Sequence, residues 1–194
     1  MYEIPSVNIP NGVSGAWKVE TKHIVPSKIS QLQSMIHSNG RYVPEGTYTF
    51  LYRNCEVIMS DTPNEKSDHY GAVMNAAGNV LIAGLGIGMV LNAIAINPEV
   101  THIDLVEISP DVIKLVWPTY KEKFGDKITL HQMSIFDFKP TIHYDYAWFD
   151  IWDNLNEDNL SEMTKLGHKF GKYATKKGYW GKEYLLYNRR RNSY

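Results

Sequence analysis

Between residues 79 and 153 short, continuously apolar runs alternate with segments of helical spacing. NVLIAGLG (79–86), HIDLVEI (102–108), ITLHQM (128–133) and DYAWFDI (145–151) read as strands. MVLNAIAIN (89–97) and DVIKLVW (111–117) read as helices between them. Strand–helix alternation predicts βαβ units and a parallel sheet. Helices on both faces of such a sheet explain why its strands are apolar on both sides. Ser109-Pro110 supplies an N-cap and a proline at the first helical position, a strong helix start. Pro118 is expected to stop or kink that helix, and Gly125-Asp126 turns the chain into the next strand.

The first 78 residues read as a separate β-rich section, leaving 79–194 as the main domain. AWKVETKHIV (16–25) is a strand, and TYTFLYR (47–53) with EVIMS (56–60) forms a hairpin around Asn54-Cys55. SKISQLQSMIH (27–37) has helical spacing at Ile29, Leu32 and Ile36, and DHYGAVMNA (68–76) is a further helix. Beyond residue 153, NEDNLSEM opens a helix, and a last strand is expected at YLLY (184–187). The fold class expected is α/β, a Rossmann-like doubly wound, mostly parallel sheet with a small N-terminal β-hairpin section.

Composition narrows this picture. The chain has 194 residues, 43% hydrophobic and 21% charged, which suits one domain with a small appendage. The single cysteine, Cys55, excludes an intrachain disulfide and the seven histidines are scattered, so neither a disulfide framework nor a zinc spacing is present. No apolar run reaches the roughly 18 residues of a membrane span. MYEIPSVNIP lacks the basic and apolar regions of a signal peptide, and a cytoplasmic location is expected. The net charge of −1 hides a split. Residues 1–160 hold 11 basic and 19 acidic residues, a net of −8, whereas residues 161–194 hold 9 and 2, a net of +7. Lysines, Arg189, Arg190 and Arg191 interleave there with Tyr173, Tyr179, Trp180, Tyr184 and Tyr187, a pattern that suits nucleic acid or a partner subunit.

Two elements carry candidate chemistry. Gly84-Leu85-Gly86-Ile87-Gly88 follows a buried strand and precedes a helix. Glycines there permit a tight turn and close approach of a ligand to the backbone. Glu107 ends the next strand, 23 residues after Gly84, where an acid accepts hydrogen bonds from ribose hydroxyls. A dinucleotide fingerprint would place a small residue at Met89. G-x-G-x-G instead suits S-adenosylmethionine (SAM), which has no pyrophosphate to cradle. The second element is Asp150-Ile151-Trp152-Asp153 at the carboxyl end of the fourth strand. Asp150 is the candidate base for an amine acceptor. Asp153, Tyr70 and Trp152 are candidates for substrate contact, although Asp153 is equally suited to capping the following helix. Trp148 reads as core, and His69, like Tyr70, is a candidate for the substrate mouth, with an ordinary surface residue as the alternative.

VLIAGLGIGMVLNAI, VEISPDVIKL and FDIWDN, spanning roughly residues 80–154, resemble the class I SAM-dependent methyltransferase superfamily and, within it, the spermidine synthase (aminopropyltransferase) branch. EVIMS and DHY resemble that branch's N-terminal segment. The resemblance implies SAM or decarboxylated SAM as cofactor, held by Gly84, Leu85, Gly86, Gly88, Glu107, Ile108 and Ser134. It places Asp150 near the reacting amine and Asp153 on the substrate's positive charge. The chain departs from the pattern at Ile87, where the branch has an aspartate that holds the aminopropyl donor, and at Ala83, Met133-Ser134, Gly71, Ala72 and Met59. Methyl transfer to a small, cationic acceptor is therefore expected over aminopropyl transfer. The alternatives are a non-catalytic SAM or nucleoside binder with an interaction role, and a nucleic-acid-associated methyltransferase. The family's closing strands have little counterpart after residue 173, which leads to the expectation of a homodimer that covers the sheet edge.

Overall fold

The computed structural model describes residues 3–27 and 42–191. Four strands, β1 (Gly12–Ser14), β2 (Trp17–Ile24), β3 (Gly46–Arg53) and β4 (Glu56–Ser60), form an antiparallel sheet in chain order. The β3–β4 hairpin turns on Asn54 and Cys55, both at positive φ (48° and 71°), the geometry that matches the twist of the flanking strands. Helix α1 (Pro63–Asn75) leads to β5 (Gly78–Ala83), followed by α2 (Met89–Ala95), β6 (Val100–Glu107), α3 (Pro110–Phe124), β7 (Ile128–Gln132) and β8 (Tyr144–Phe149). Helix α4 (Asp158–Lys169), β9 (Ala174–Tyr179) and α5 (Lys182–Arg191) complete the described chain.

Strands β5–β9 make a wholly parallel sheet in the order β7-β6-β5-β8-β9. Side-chain alternation divides their residues between two cores. Val80, Ile82, Ile103, Leu105, Tyr146 and Trp148 share a core with residues of α1, α2 and α3. Leu81, Ala83, Val106, Ala147 and Phe149 share the other core with Met163 and Leu166 of α4 and Phe170 just after it. The fold is α/β, a Rossmann-like doubly wound sheet with a small antiparallel N-terminal sheet. Val19 and Leu51 of that smaller sheet lie in the same core as Ile82 and Ile87, so the N-terminal section shares its interior with the larger sheet. Asp61 fastens it further, accepting N–H bonds from Val7 (2.8 Å) and Thr49 (2.7 Å).

Two expectations change. Helix α3 runs through Pro118 to Phe124. Its buried stripe, Val112, Val116 and Tyr120, continues past the proline, and that packing outweighs one lost backbone bond. YLLY lies in α5, and the last strand is β9, ATKKGY. Only Leu185 of α5 is buried; the others read as a strand because they are apolar or aromatic. Among the described residues β9 pairs only with β8 and carries Lys176 and Lys177; lysines blunt an exposed edge. The helix expected at SKISQLQSMIH lies outside the described residues apart from Ser27. Among the described residues no helix is long and apolar enough to cross a membrane.

Candidate functional site

Strand order reverses between β5 and β8, and ligands of open α/β sheets bind beyond the carboxyl ends of the strands at such a switch point. The two motifs meet there. Gly84 N–H donates to Val106 O (2.9 Å), and Asp150 N–H donates to Ala83 O (2.9 Å). The glycine turn is thereby stitched to both neighbouring strands. Gly84, Gly86 and Gly88 all have positive φ (98°, 51° and 74°), the region where a side chain is strained. Glu107, at the end of β6, accepts the Leu85 N–H at Oε2 (2.8 Å) and the Ser109 N–H at Oε1 (2.7 Å). It therefore shapes the turn as well as facing the ligand space. A carboxylate has about four acceptor sites, so these backbone bonds do not exhaust it. Burial pushes its pKa up, opposed by those backbone N–H groups, with Asp150's charge adding to the rise.

A cavity of about 400 Å³ opens here. Gly84, Gly86, Glu107, Ile108, Ser134, Asp150, Trp152 and Asp153 all line it. Leu85 contributes its N–H to Glu107. Gly88 is packed against the Tyr120 ring at the start of α2 and is outside the lining. Tyr70 is exposed on α1 and also outside it. Residues that the sequence did not single out complete the walls. Trp17 and Trp180 join Trp152, and Glu65 and Glu162 join the other carboxylates. Arg53 is the one cationic residue among the described lining residues.

Asp153 does not cap α4. Its carboxylate pairs with Arg53 of β3, whose guanidinium lies 5.3 Å from the Trp17 ring centroid. Asn156 Oδ1 instead accepts the Asp158 N–H (3.0 Å) at the helix start. The Asp153 carboxylate thus already has a cationic partner on the N-terminal sheet. Trp152 is held by its indole N–H, which donates to Glu162 Oε2 (2.6 Å).

His69 is the largest departure from the sequence reading. It is fully buried, at 0% exposure. Nδ1 lies 2.8 Å from the Glu65 carbonyl oxygen and Nε2 lies 2.8 Å from Asp150 Oδ2. Both partners are acceptors when Asp150 is ionised, so both ring nitrogens must carry protons, which makes the ring an imidazolium. Trp180 stacks on it at 6.5 Å and Trp148 meets it edge-on at 5.9 Å. Burial opposes the charge, but Asp150's charge and hydrogen bond outweigh it, helped by the Glu65 carbonyl and carboxylate, and the pKa is raised from 6.5 to about 9. Glu65 itself is pushed up by burial, against the charge of His69 and a hydrogen bond from Ser60.

A stability profile follows. A folded pKa above the unfolded 6.5 means that this contribution is whole below pH 6.5 and is lost as pH rises through about 9. Each pH unit between those values costs about 1.4 kcal/mol at most. The raised Glu65 and Glu107 act in the same direction at lower pH. The thermal midpoint is expected to fall between pH 7 and about 9 in the unaltered protein, and less steeply in Asp150→Asn. Equal slopes in the two proteins would refute the pairing.

No protein-family model matches the sequence, and no curated protein matches it. Solved structures do. The N-methyltransferase NodS from Bradyrhizobium japonicum WM9, in complex with S-adenosyl-L-homocysteine, matches at 15% identity over 59% of this chain and 59% of its own, with a TM-score of 0.46. The 23S rRNA methyltransferase ErmE matches at 16% identity over 52% and 39%, with a TM-score of 0.41. The methyltransferase domain of bacterial CtHen1 matches at 23% identity over 52% and 58%, with a TM-score of 0.40. The matched region is 39% to 59% of those chains. Likeness of this extent is one of arrangement, and what the site does rests on its own residues.

The basic end is partly used inside the fold. Lys169 Nζ donates to the carbonyls of Ile135 and Phe136, and Lys177 Nζ to that of Ala174. Lys172 and Lys182 lie over Tyr173 and Tyr179.

Proposed function

We propose that this chain binds SAM between the glycine turn and Glu107 and transfers its methyl group to a small amine held before Asp150. The observation that carries this reading is the meeting of the turn, Glu107 and Asp150 on one cavity at the switch point. Gly84 and Gly86 let the turn pack closely against the Asp150 carbonyl and Met59 at the wall of the cavity. Glu107 would accept the ribose hydroxyls, and Ile108 and Ser134 would lie beside the adenine. When bound, SAM supplies a methyl carbon on a sulfonium, which leaves as a neutral thioether after transfer.

The chain's own groups supply the rest. An amine attacks through its lone pair, so it must shed a proton, and Asp150 is the carboxylate placed to receive it. Five lining carboxylates against one guanidinium favour a cationic amine by charge. Indole faces of Trp17, Trp152 and Trp180 add contacts suited to a cation. Ile87 favours methyl over aminopropyl transfer, since its side chain is buried in the core and offers the donor's ammonium no partner.

Calorimetry with SAM, S-adenosylhomocysteine, decarboxylated SAM and NAD tests the donor. The first two are expected to bind, decarboxylated SAM more weakly, and NAD not at all. Tight NAD binding without a SAM signal would remove this reading. Turnover with putrescine, spermidine and n-propylamine then separates an enzyme from a binder.

A further inference from the structure

We propose that His69 is the positioning residue of this site, a buried cation that fixes one oxygen of Asp150 and leaves the other for the substrate. The inference rests on the methyl-transfer reading above. Its geometry is independent of that reading. Asp150 Oδ2 is held 2.8 Å from His69 Nε2, and no hydrogen bond ties Oδ1 to another described residue. Asp150 lines the cavity, whereas His69 is behind it. His69 therefore touches neither donor nor acceptor and acts through the carboxylate.

The ring is fixed from every side. Its Nδ1–H is spent on the Glu65 carbonyl, one helical turn earlier on α1. Trp180 stacks on one face and Trp148 meets it at an angle. A side chain so enclosed cannot swing, and a carboxylate tied to it keeps one orientation. The charge matters as much as the direction. Glu65 on α1 and Glu107 on β6 both interact with Asp150, and Asp68 on α1 adds to the charge felt by Glu65. Three carboxylates at one end of a cavity repel one another, and one takes up a proton unless a cation stands among them. Arg53 is engaged with Asp153. His69 is the positive charge set between Glu65 and Asp150. It sets a positive partner 2.8 Å from the Asp150 carboxylate.

Two measurements test this. Nitrogen-15 NMR of the unaltered protein should show both nitrogens of the His69 ring protonated at pH 7.5, the signal changing to one proton in Asp150→Asn. Turnover of His69→Gln is then followed with whichever of putrescine, spermidine or n-propylamine reacts fastest. Glutamine keeps a donor but no charge. It should lower kcat about 100-fold, within the range of a mispositioned base, with the KM for SAM unchanged. The acidic limb of the pH–rate profile should move to higher pH, which a purely structural role would not produce. If the unaltered protein binds no SAM, the functional reading falls and the positioning role with it. SAM binding with a singly protonated His69 at pH 7.5, or an unchanged kcat and pH profile in a folded His69→Gln, overturns the positioning role alone. If His69→Gln fails to fold, the NMR measurement on the unaltered protein decides.

Discussion

Replacing Asp150 by asparagine is expected to lower turnover by roughly 10²- to 10⁴-fold, the usual contribution of a positioned general base. SAM affinity should stay within about threefold, because the turn and Glu107 that hold the donor are untouched. Asparagine has nearly the same shape, and the backbone N–H at position 150 still donates to Ala83 O. What is lost is the charge. An amide neither accepts the amine's proton nor balances the imidazolium of His69, 2.8 Å away. The histidine should therefore return toward its ordinary pKa of 6.5 from about 9, and the thermal midpoint at pH 7 should drop with it. Loss of turnover and loss of stability thus arise from one atom pair. Initial rates with the fastest amine, calorimetric titration with SAM and a melting curve measure the three effects. Turnover retained within tenfold would remove Asp150 from the chemistry. Lost SAM binding would instead make it part of the donor site.

How much of this was legible in the sequence depended on the distance over which each feature is decided. The hairpin at Asn54-Cys55 was legible because the turn residues fix their own backbone. The start of α3 was legible because Ser109 Oγ accepts the Val112 N–H only three residues on (3.2 Å). The glycine turn and Glu107 were legible as a spacing, since consecutive βα units bring the ends of β5 and β6 together. The His69–Asp150 pair spans 81 residues and Arg53–Asp153 spans 100. No local pattern marks either, and a histidine in DHYGAVMNA has the same neighbours whether it faces water or a buried carboxylate. Glu65, Trp17 and Trp180 were missed for the same reason: the packing of α1, β2 and the segment after β9 brings them to the cavity. The β9 strand was hidden by its lysines, which belong to its role as an edge. Pro118 misled because a local steric rule was set against a buried stripe of Val112, Val116 and Tyr120 that the sequence displays but does not weigh.

Glycines of the turn should differ sharply on substitution, because each meets a different neighbour. Gly84→Ala is expected to cost about 3 kcal/mol or more, in the range of severe backbone strain combined with a steric clash. At φ 98° the residue lies where side chains are rarely tolerated, and an added Cβ would collide with the carbonyl oxygen of Asp150. That carbonyl cannot retreat, because the same residue's N–H is bonded to Ala83 O and the Gly84 N–H to Val106 O, both at 2.9 Å. Moving it would part β5 from β8 at the switch point. Gly86→Ala meets a different neighbour. Its φ of 51° is within the left-handed region that other residues enter at a cost of about 1 kcal/mol, and the added Cβ would press on the thioether end of Met59, a flexible side chain. Gly86→Ala should therefore fold and bind SAM more weakly, since it narrows the cavity wall, whereas Gly84→Ala should lose much of its folded population. Urea unfolding of the two variants beside the unaltered protein separates these outcomes. Equal and small losses at both positions would mean that the turn does not press against Asp150, and the close approach that unites the glycine turn with the carboxylate would have to be abandoned.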